Sequence, residues 1–470
     1  MYMGPGNNLC SCLKEYIEFL DRMPQALRER ELEEFLGQLT SPDSCDAAHV
    51  KLILSLLISS KTKSFSFDRI NNLYSSNPSF VIEVIELVLD KAKKLKAIKK
   101  EGEDRPNPPL LQPEVLYEFL KLRKLKELEI CSFGFILSEL MALCWEMPSL
   151  RKIYVRIAAQ SLESMQTPEF LTTFKKSFRQ LSEFRFTSFW TCAEFVKALT
   201  FCCIKNLPNL EAAGPPDVFL DMIQACRDQK KKSRIRHLDF IISNLRELES
   251  VSLKKFPRVR SLCVKWANGY VSLPNGDESN LPILMGLKKL NSLKFINLDS
   301  HLILRLFLMA CGKNLKSLSL APENGQGSDM ELKLEMIYQL CPKLESLSVR
   351  RVKSFTFDSR WYNNLKSTVK ELKLSLRPGA LKRDLPLSDL MLQPHLETVM
   401  LKGFKVSMTE LELTNNLVRN GKILSKLKSF LLDVSAVEPK NAPIQHRLLR
   451  QHFDANLRSW RPEASIAVYL

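Results

Sequence analysis

The chain lacks the short signatures that mark most catalytic and metal-binding folds. Its 470 residues contain no GxxxxGK[ST] loop, no GxGxxG, no HExxH and no GxSxG. No compact template for phosphoryl, hydride, zinc or acyl-transfer chemistry can therefore be read from it. The 12 cysteines form no CxxC pair, the nearest approach being Cys10-Ser-Cys12, and the 6 histidines are scattered without metal-ligand spacing. No apolar run reaches membrane-spanning length, because Glu83 and Glu86 break one candidate and Arg305 the other. The first residues show no basic segment followed by an apolar stretch, so no secretory leader is expected. These absences predict a chain that is not an enzyme, with no metal, no cofactor and no membrane partner. A reducing compartment, cytoplasmic or nuclear, is expected, with thiols such as Cys144, Cys202, Cys203, Cys311 and Cys341 packed as small apolar groups.

Negative charge is also in short supply: 69 Lys and Arg stand against 52 Asp and Glu, a net charge of +17. Part of the excess lies in two tracts, Lys91-Ala-Lys-Lys-Leu-Lys-Ala-Ile-Lys-Lys100 and Arg227-Asp-Gln-Lys-Lys-Lys-Ser-Arg-Ile-Arg236. Each tract is expected to close a helix, where cations offset the negative end of the dipole. The alternative is a nucleic-acid-associated or general scaffold protein that uses tracts 91–100 and 227–236. No aromatic residues interleave with the tracts to stack on bases, and no helix-turn-helix or RNP-type pattern occurs.

Periodicity divides the chain. Residues 1–100 read as an all-α region, with apolar residues at helical spacing through Leu9, Leu13 and Ile17, and again through Leu27, Leu32 and Leu36. Asn77-Pro78-Ser79 opens a helix that is apolar nearly all round. Residues 101–114 form a Pro-rich linker or loop, and 115–470 carry a repeating frame, apolar-x-x-apolar-x-apolar. Met147-Pro-Ser-Leu-Arg-Lys-Ile-Tyr-Val155, Phe256-Pro-Arg-Val-Arg-Ser-Leu-Cys-Val264, Cys341-Pro-Lys-Leu-Glu-Ser-Leu-Ser-Val349 and Gln393-Pro-His-Leu-Glu-Thr-Val-Met-Leu401 share it. Its first apolar residues are Leu125, Leu150, Leu181, Leu210, Ile235, Val259, Leu290, Leu315, Leu344, Val369, Leu396 and Leu427, spaced 24 to 31 apart. The first, fourth and sixth residues of each frame point inward from a short strand, and the intervening ones face out. The stretches 300–311 and 329–340 read as helices, with the recurring proline as the helix stop. One strand plus one helix cannot bury its own apolar face, so neighbours must stack.

This pattern resembles leucine-rich repeats, and the Cys341–Val349 unit looks like those of F-box-type substrate receptors. The resemblance implies an α/β solenoid of about twelve irregular repeats, with parallel strands on the concave face and helices on the convex face. It departs from the family where Asn or Cys is usual, carrying Phe133, Ala158, Phe189, Ala267, Leu298, Val352 and Phe404 instead. The frame at Leu210 is weak, since it leads only to Ala213. Leu248-Glu-Ser-Val-Ser-Leu253 competes with Val259, which is preferred because it carries the proline. Leu111-Gln-Pro-Glu-Val-Leu-Tyr-Glu-Phe-Leu120 resembles the opening of an F-box but leaves no room for one before the first frame, so it is read as a capping helix.

Further upstream, Leu9-Cys-Ser-Cys-Leu-Lys-Glu-Tyr-Ile17 followed by Met23-Pro-Gln-Ala-Leu27 resembles the VHL-box of elongin-binding cullin adaptors. Leucine at Leu13 stands where that pattern has cysteine. The resemblance implies adaptor binding within 9–39, through Leu9, Leu13, Ile17, Met23, Pro24 and Leu27. It also implies a protein-interaction module acting as substrate-recognition subunit of a cullin-RING ubiquitin ligase. The partner would lie on the outward strand face, at Tyr154, Arg156, Arg185, Lys265, Lys294, Arg350, Lys373, Met400 and Lys402. Basic residues prevail on that face from 259 onward, which favours an acidic or phosphorylated protein segment.

Overall fold

The computed structural model describes residues 18–20, 22–39, 46–68, 70, 77–100, 109–158, 165, 167–188, 193–207, 209–215, 218–219, 234–242, 256–267, 287, 289–322, 327–356, 367–378, 380, 385–421, 423, 425–433, 451, 454–459 and 463–469. The chain forms two compact units, Met1–Pro216 and Asp217–Leu470. Both are mixed α/β, and every strand pair among the described residues is parallel.

The first unit begins with helices α1 (Gln25–Gln38) and α2 (Ala47–Leu57). Strand β1 (Ser64–Phe65), helix α3 (Pro78–Lys91) and strand β2 (Ala97–Ile98) follow. Next come α4 (Pro113–Leu120), β3 (Glu127–Phe135), α5 (Leu137–Glu146) and β4 (Lys152–Ile157). The unit ends with α6 (Pro168–Phe178), β5 (Glu183–Ser188), α7 (Ala193–Asn206) and β6 (Ala212–Gly214). Its sheet runs β1 to β6 in sequence order. The helix starts have local causes. Asn77 accepts the Phe80 N–H at 3.2 Å ahead of Pro78, and Thr167 accepts the Phe170 N–H at 3.2 Å ahead of Pro168.

The expected all-α region therefore holds two strands of the sheet. Their frames are disguised. Leu95-Lys-Ala-Ile98 is hidden among lysines, and Thr62-Lys-Ser-Phe65 has a polar residue at the anchor. Thr62 is nonetheless 1% exposed, and its Oγ1 accepts the Ser59 N–H at 3.0 Å. The tract 91–100 does not simply close a helix: α3 stops at Lys91, the chain turns, and Ala97 and Ile98 enter the core while Lys96 and Lys99 stay exposed. Strands β2 and β3, either side of the proline-rich stretch, are direct neighbours. Residues 101–108 of that stretch lie outside the described residues.

The second unit contains β7 (Val218–Phe219), β8 (His237–Ile242), β9 (Ser261–Trp266) and β10 (Ser292–Ile296). Helix α8 (His301–Cys311), β11 (Ser317–Ala321), β12 (Ser328–Lys333), α9 (Leu334–Leu340) and β13 (Ser346–Thr356) follow. The last elements are β14 (Glu371–Leu376), α10 (Leu387–Met391), β15 (Thr398–Lys402), α11 (Met408–Arg419), β16 (Ser429–Asp433) and β17 (Ser465–Tyr469). Its sheet follows chain order from β7 to β17, with β12 as a side branch on β13. Strand β17 continues it past the last frame read from the sequence. The stretch 329–340 is helical only from Leu334. Before that, Ser328, Met330 and Leu332 are buried while Asp329, Glu331 and Lys333 are exposed. That alternation has period two, and a strand results.

All twelve anchor residues have at most 2% exposure, from Leu125 to Leu427. The prolines before them act in turns rather than as bare helix stops. The N–H groups of Leu150, Val259 and Leu344 donate to the carbonyls of Met147, Phe256 and Cys341 at 3.1, 3.2 and 3.1 Å. Pro148, Pro257 and Pro342 thereby take the second position of the turn, which their fixed φ favours. Val259 is the residue that leads into β9, as its proline indicated, whereas 248–250 lie outside the described residues. The weak frame at Leu210 leads into β6, the last strand of the first sheet.

Candidate functional site

The alternating residues of each sheet form a face not used by the core. In the first unit this face is electrically closed. Lys152 Nζ lies 3.0 Å from Glu127, Arg185 Nε 3.5 Å from Glu183, and Lys100 Nζ 5.2 Å from the centre of the Tyr154 ring. Tyr154 and Arg185, two of the expected partner residues, sit within this neutralised lattice. Arg156 does not offer a free guanidinium: it is 7% exposed. It pairs with Gly134, just past residues 131–133, where β3 slips register. That excursion is tied down by Asp68, whose Oδ1 accepts the N–H groups of Cys131 and Ser132 at 3.1 Å each.

In the second unit the register aligns like residues in rows. Ser261, Ser292, Ser317 and Ser346 stand side by side on consecutive strands, continued by Glu371, Thr398, Ser429 and Ser465. One residue earlier in the frames, charges alternate in sign. Glu345 accepts hydrogen bonds from Lys316 at 2.7 Å and Lys370 at 2.8 Å, and Glu397 from Lys428 at 2.6 Å. These lysines hold the Glu345 carboxyl at about 2, well below its usual range.

Beyond these rows the balance tips. A cavity of about 510 Å³ opens over β13, β14 and β15, lined by Pro322, Val349, Arg350, Arg351, Lys373, Leu374, Ser375, Met400 and Lys402. Among its described lining residues four are cations and none is a carboxylate. Lys373 contacts Glu371 outside the cavity, and that contact holds the Glu371 carboxyl below its usual value. Neither Arg350 nor Lys402 forms an ion pair with a described residue, while Asp433 stands opposite Lys402 in register. Arg350, Lys373, Met400 and Lys402, expected from the sequence as partner residues, are thus brought together. Lys265 on β9 and Lys294 on β10 share the sheet but not the cavity. Lys294 is three strands from Lys373, roughly 14 Å at the ~4.8 Å strand spacing.

The sequence reading missed Arg351. Strict alternation assigns it to the core, and only the kink in β13 turns it out. The signal available was a second arginine directly after Arg350, where an apolar residue belongs.

Of the adaptor residues, Leu9, Leu13 and Ile17 lie outside the described residues. Met23 lines a cavity of about 650 Å³ with Leu20, Gln25, Arg28, Leu52, Leu56, Ile58 and Lys91 among others. Pro24 precedes α1 and is exposed, and Leu27 on α1 is 48% exposed. In the second basic tract, 227–233 lie outside the described residues, and Ile235 is a core residue.

No family model matches the chain. No curated protein matches it either. Among solved structures, a likeness is found to a chain in the crystal structure of the Rad7 and Elc1 complex in yeast. The identity is 13%, covering 94% of this chain and 97% of that one, with a TM-score of 0.33. Among the described residues no group of three or more His, Cys, Asp or Glu is placed to hold a metal, and no helix is long and apolar enough to cross a membrane. Burial raises the thiols of Cys144 and Cys203 well above the usual range and those of Cys311 and Cys341 to about 12, so these cysteines stay protonated at neutral pH.

Proposed function

We propose that this chain is a non-catalytic binding subunit built on leucine-rich repeats, whose open sheet face in the second unit takes an acidic protein segment. One observation carries the reading: Arg350, Arg351, Lys373 and Lys402 surround a cavity with no carboxylate among its described lining residues. Cations on neighbouring strands repel one another unless neutralised, as they are in the first unit. Gathering four around one space presents a potential that attracts an anionic partner and orients it. Parallel strands supply the rigid platform, since each lining side chain is set by the register of its strand.

In its sharper form, the chain is the substrate-recognition subunit of a cullin-RING ubiquitin ligase. Residues 9–39 dock an elongin-type adaptor, and the second unit holds the substrate. Support comes from the VHL-box-like spacing of Leu9, Leu13 and Ile17, and from the exposure of Leu27 on α1. A reducing compartment, cytosol or nucleus, suits seven free cysteines in the described residues, six of them buried.

The test is affinity purification of the full chain beside two double variants, Leu9→Asp with Leu13→Asp and Arg350→Glu with Lys402→Glu. Elongin and cullin peptides should vanish only with the first pair, and a set of substrate candidates only with the second. Adaptor peptides absent even from the wild type would end the ligase reading. A partner set unchanged by the second pair would end the assignment of the basic cavity.

A further inference from the structure

We infer that the kink in β13 is a phosphate clamp, in which Arg350 and Arg351 together grip a phosphoserine or phosphothreonine of the bound protein. This rests on the reading of the cavity as a protein-binding site and names the chemistry it selects.

The backbone supplies the first observation. Ser346, Ser348 and Arg350 face outward in turn along β13, while Leu347 and Val349 are buried. The next residue in that alternation belongs inside. Instead the register slips between Val349 and Val352, Arg351 takes φ 55°, and Val352 resumes the inward place at 1% exposure. Two consecutive arginines consequently reach the open face. Among the described residues the other left-handed positions hold Gly214, Gly327, Gly403, Gly421 and Asn297. Glycine takes that conformation without steric cost and asparagine tolerates it. Arginine there costs on the order of 1 kcal/mol or more. The backbone gives no reason for arginine at this position, so the side chain is what the position serves.

The kink is also held in place. The Arg351 N–H donates to Ser375 Oγ on β14 at 2.9 Å. On the other side Gly327, at φ 83°, approaches so closely that a Cβ there would stand 2.7 Å from the Arg351 carbonyl oxygen. A bulge fixed from both sides re-aims a side chain in one direction rather than adding slack.

The second observation is the set of charges. Arg350, Arg351, Lys373 and Lys402 line one cavity of about 510 Å³. A phosphate monoester carries close to two negative charges at neutral pH and three oxygens, against one charge and two oxygens for a carboxylate. Two planar guanidinium forks can each donate to a pair of those oxygens, and two ammonium groups add charge without a fixed geometry. The space exceeds a single phosphate group, and Val349, Leu374 and the adaptable Met400 offer apolar contact for flanking residues. The described lining residues include no aromatic ring on which a base could stack, which favours a protein over a single-stranded nucleic acid.

The experiment uses the full chain and three degenerate peptide pools, identical except for a central phosphothreonine, threonine or glutamate, with binding followed by fluorescence anisotropy. The phosphothreonine pool should bind at least tenfold more tightly than the glutamate pool, and inorganic phosphate should compete with it. Arg351→Gly should weaken phosphothreonine binding at least tenfold while the melting temperature holds or rises, because glycine relieves the left-handed backbone. Arg351→Lys should fail to restore full binding, since it keeps the charge but loses the fork. Equal binding of the phosphothreonine and glutamate pools, both weakened by Arg350→Glu, would overturn the clamp and leave the acidic-partner reading standing. No binding of either pool would overturn both. Unchanged phosphate selectivity in Arg351→Gly would remove Arg351 from the site.

Discussion

The two open sheet faces obey one backbone rule and reach opposite electrical outcomes. In the first unit Lys152 and Arg185 stand near Glu127 and Glu183, so charges cancel across and along the strands. In the second unit the strand starts carry serine and threonine, the charged row before them alternates in sign, and the strand ends gather cations around a cavity. Register decides which side chains meet, and the identity of the neighbour decides whether a charge is spent inside the molecule or offered to a partner. A face of paired charges is a stable surface, because a ligand would have to displace the existing partners. A face on which like charges gather is held there by the fold against their repulsion.

The contrast should disappear in the core, where the largest effects are expected. Leu150→Ala in the first unit and Leu344→Ala in the second each remove a fully buried anchor. Each should cost about 2–5 kcal/mol in urea unfolding followed by circular dichroism. A cost below about 1 kcal/mol in either unit would show that its frames are not held by their anchors. Next in size is Asp68→Ala, which strands the N–H groups of Cys131 and Ser132 in the interior. A loss of about 3 kcal/mol is expected in the same measurement. The second unit contains no copy of this contact among the described residues, so only the first unit's transition should move.

Binding separates the faces. Arg350→Glu with Lys402→Glu should weaken capture of an oligo-glutamate peptide at least tenfold, about 1.4 kcal/mol. Lys152→Glu should change it less than twofold, and added salt should erode the difference. Anisotropy titrations at two ionic strengths would read this, and equal losses from both faces would collapse the comparison. The smallest effect concerns the charged row. Glu345 has its folded pKa lowered from 4.5 to about 2 by Lys316 and Lys370. Its contribution is therefore fully present above pH 4.5 and is lost as the pH falls toward 2. Melting temperatures of wild type and Glu345→Gln should differ near neutral pH and converge below about pH 2 to 3. A gap that persists there would mean that the side chain packs rather than pairs.

Much of this was legible before any coordinates. The twelve anchors are all core residues because an apolar residue at a turn-to-strand junction has nowhere else to go. Helices α3 and α8 begin where Asn77 and Ser300 supply the caps. What escaped was a matter of disguise or of competition. Strands β1 and β2 hid behind a threonine anchor and a run of lysines. The stretch 328–333 alternates polar and apolar residues inside a segment whose leucine content also suits a helix. Arg156 was given an exposed place by alternation and lost it to the neighbouring bulge.

The sequence by itself determined the frame: which residues are buried, that strands succeed one another in chain order, and that Arg350, Lys373, Met400 and Lys402 share a face. These follow from a two-residue period repeated at a near-constant spacing. Only the tertiary structure decided that Lys152 is neutralised and Arg350 is not, that Lys294 is left out of the cavity, and that Arg351 is in it. Each of those depends on what the adjacent strand presents at the same height. In a parallel sheet that neighbour comes from some 25 or more residues away, beyond the reach of any local pattern.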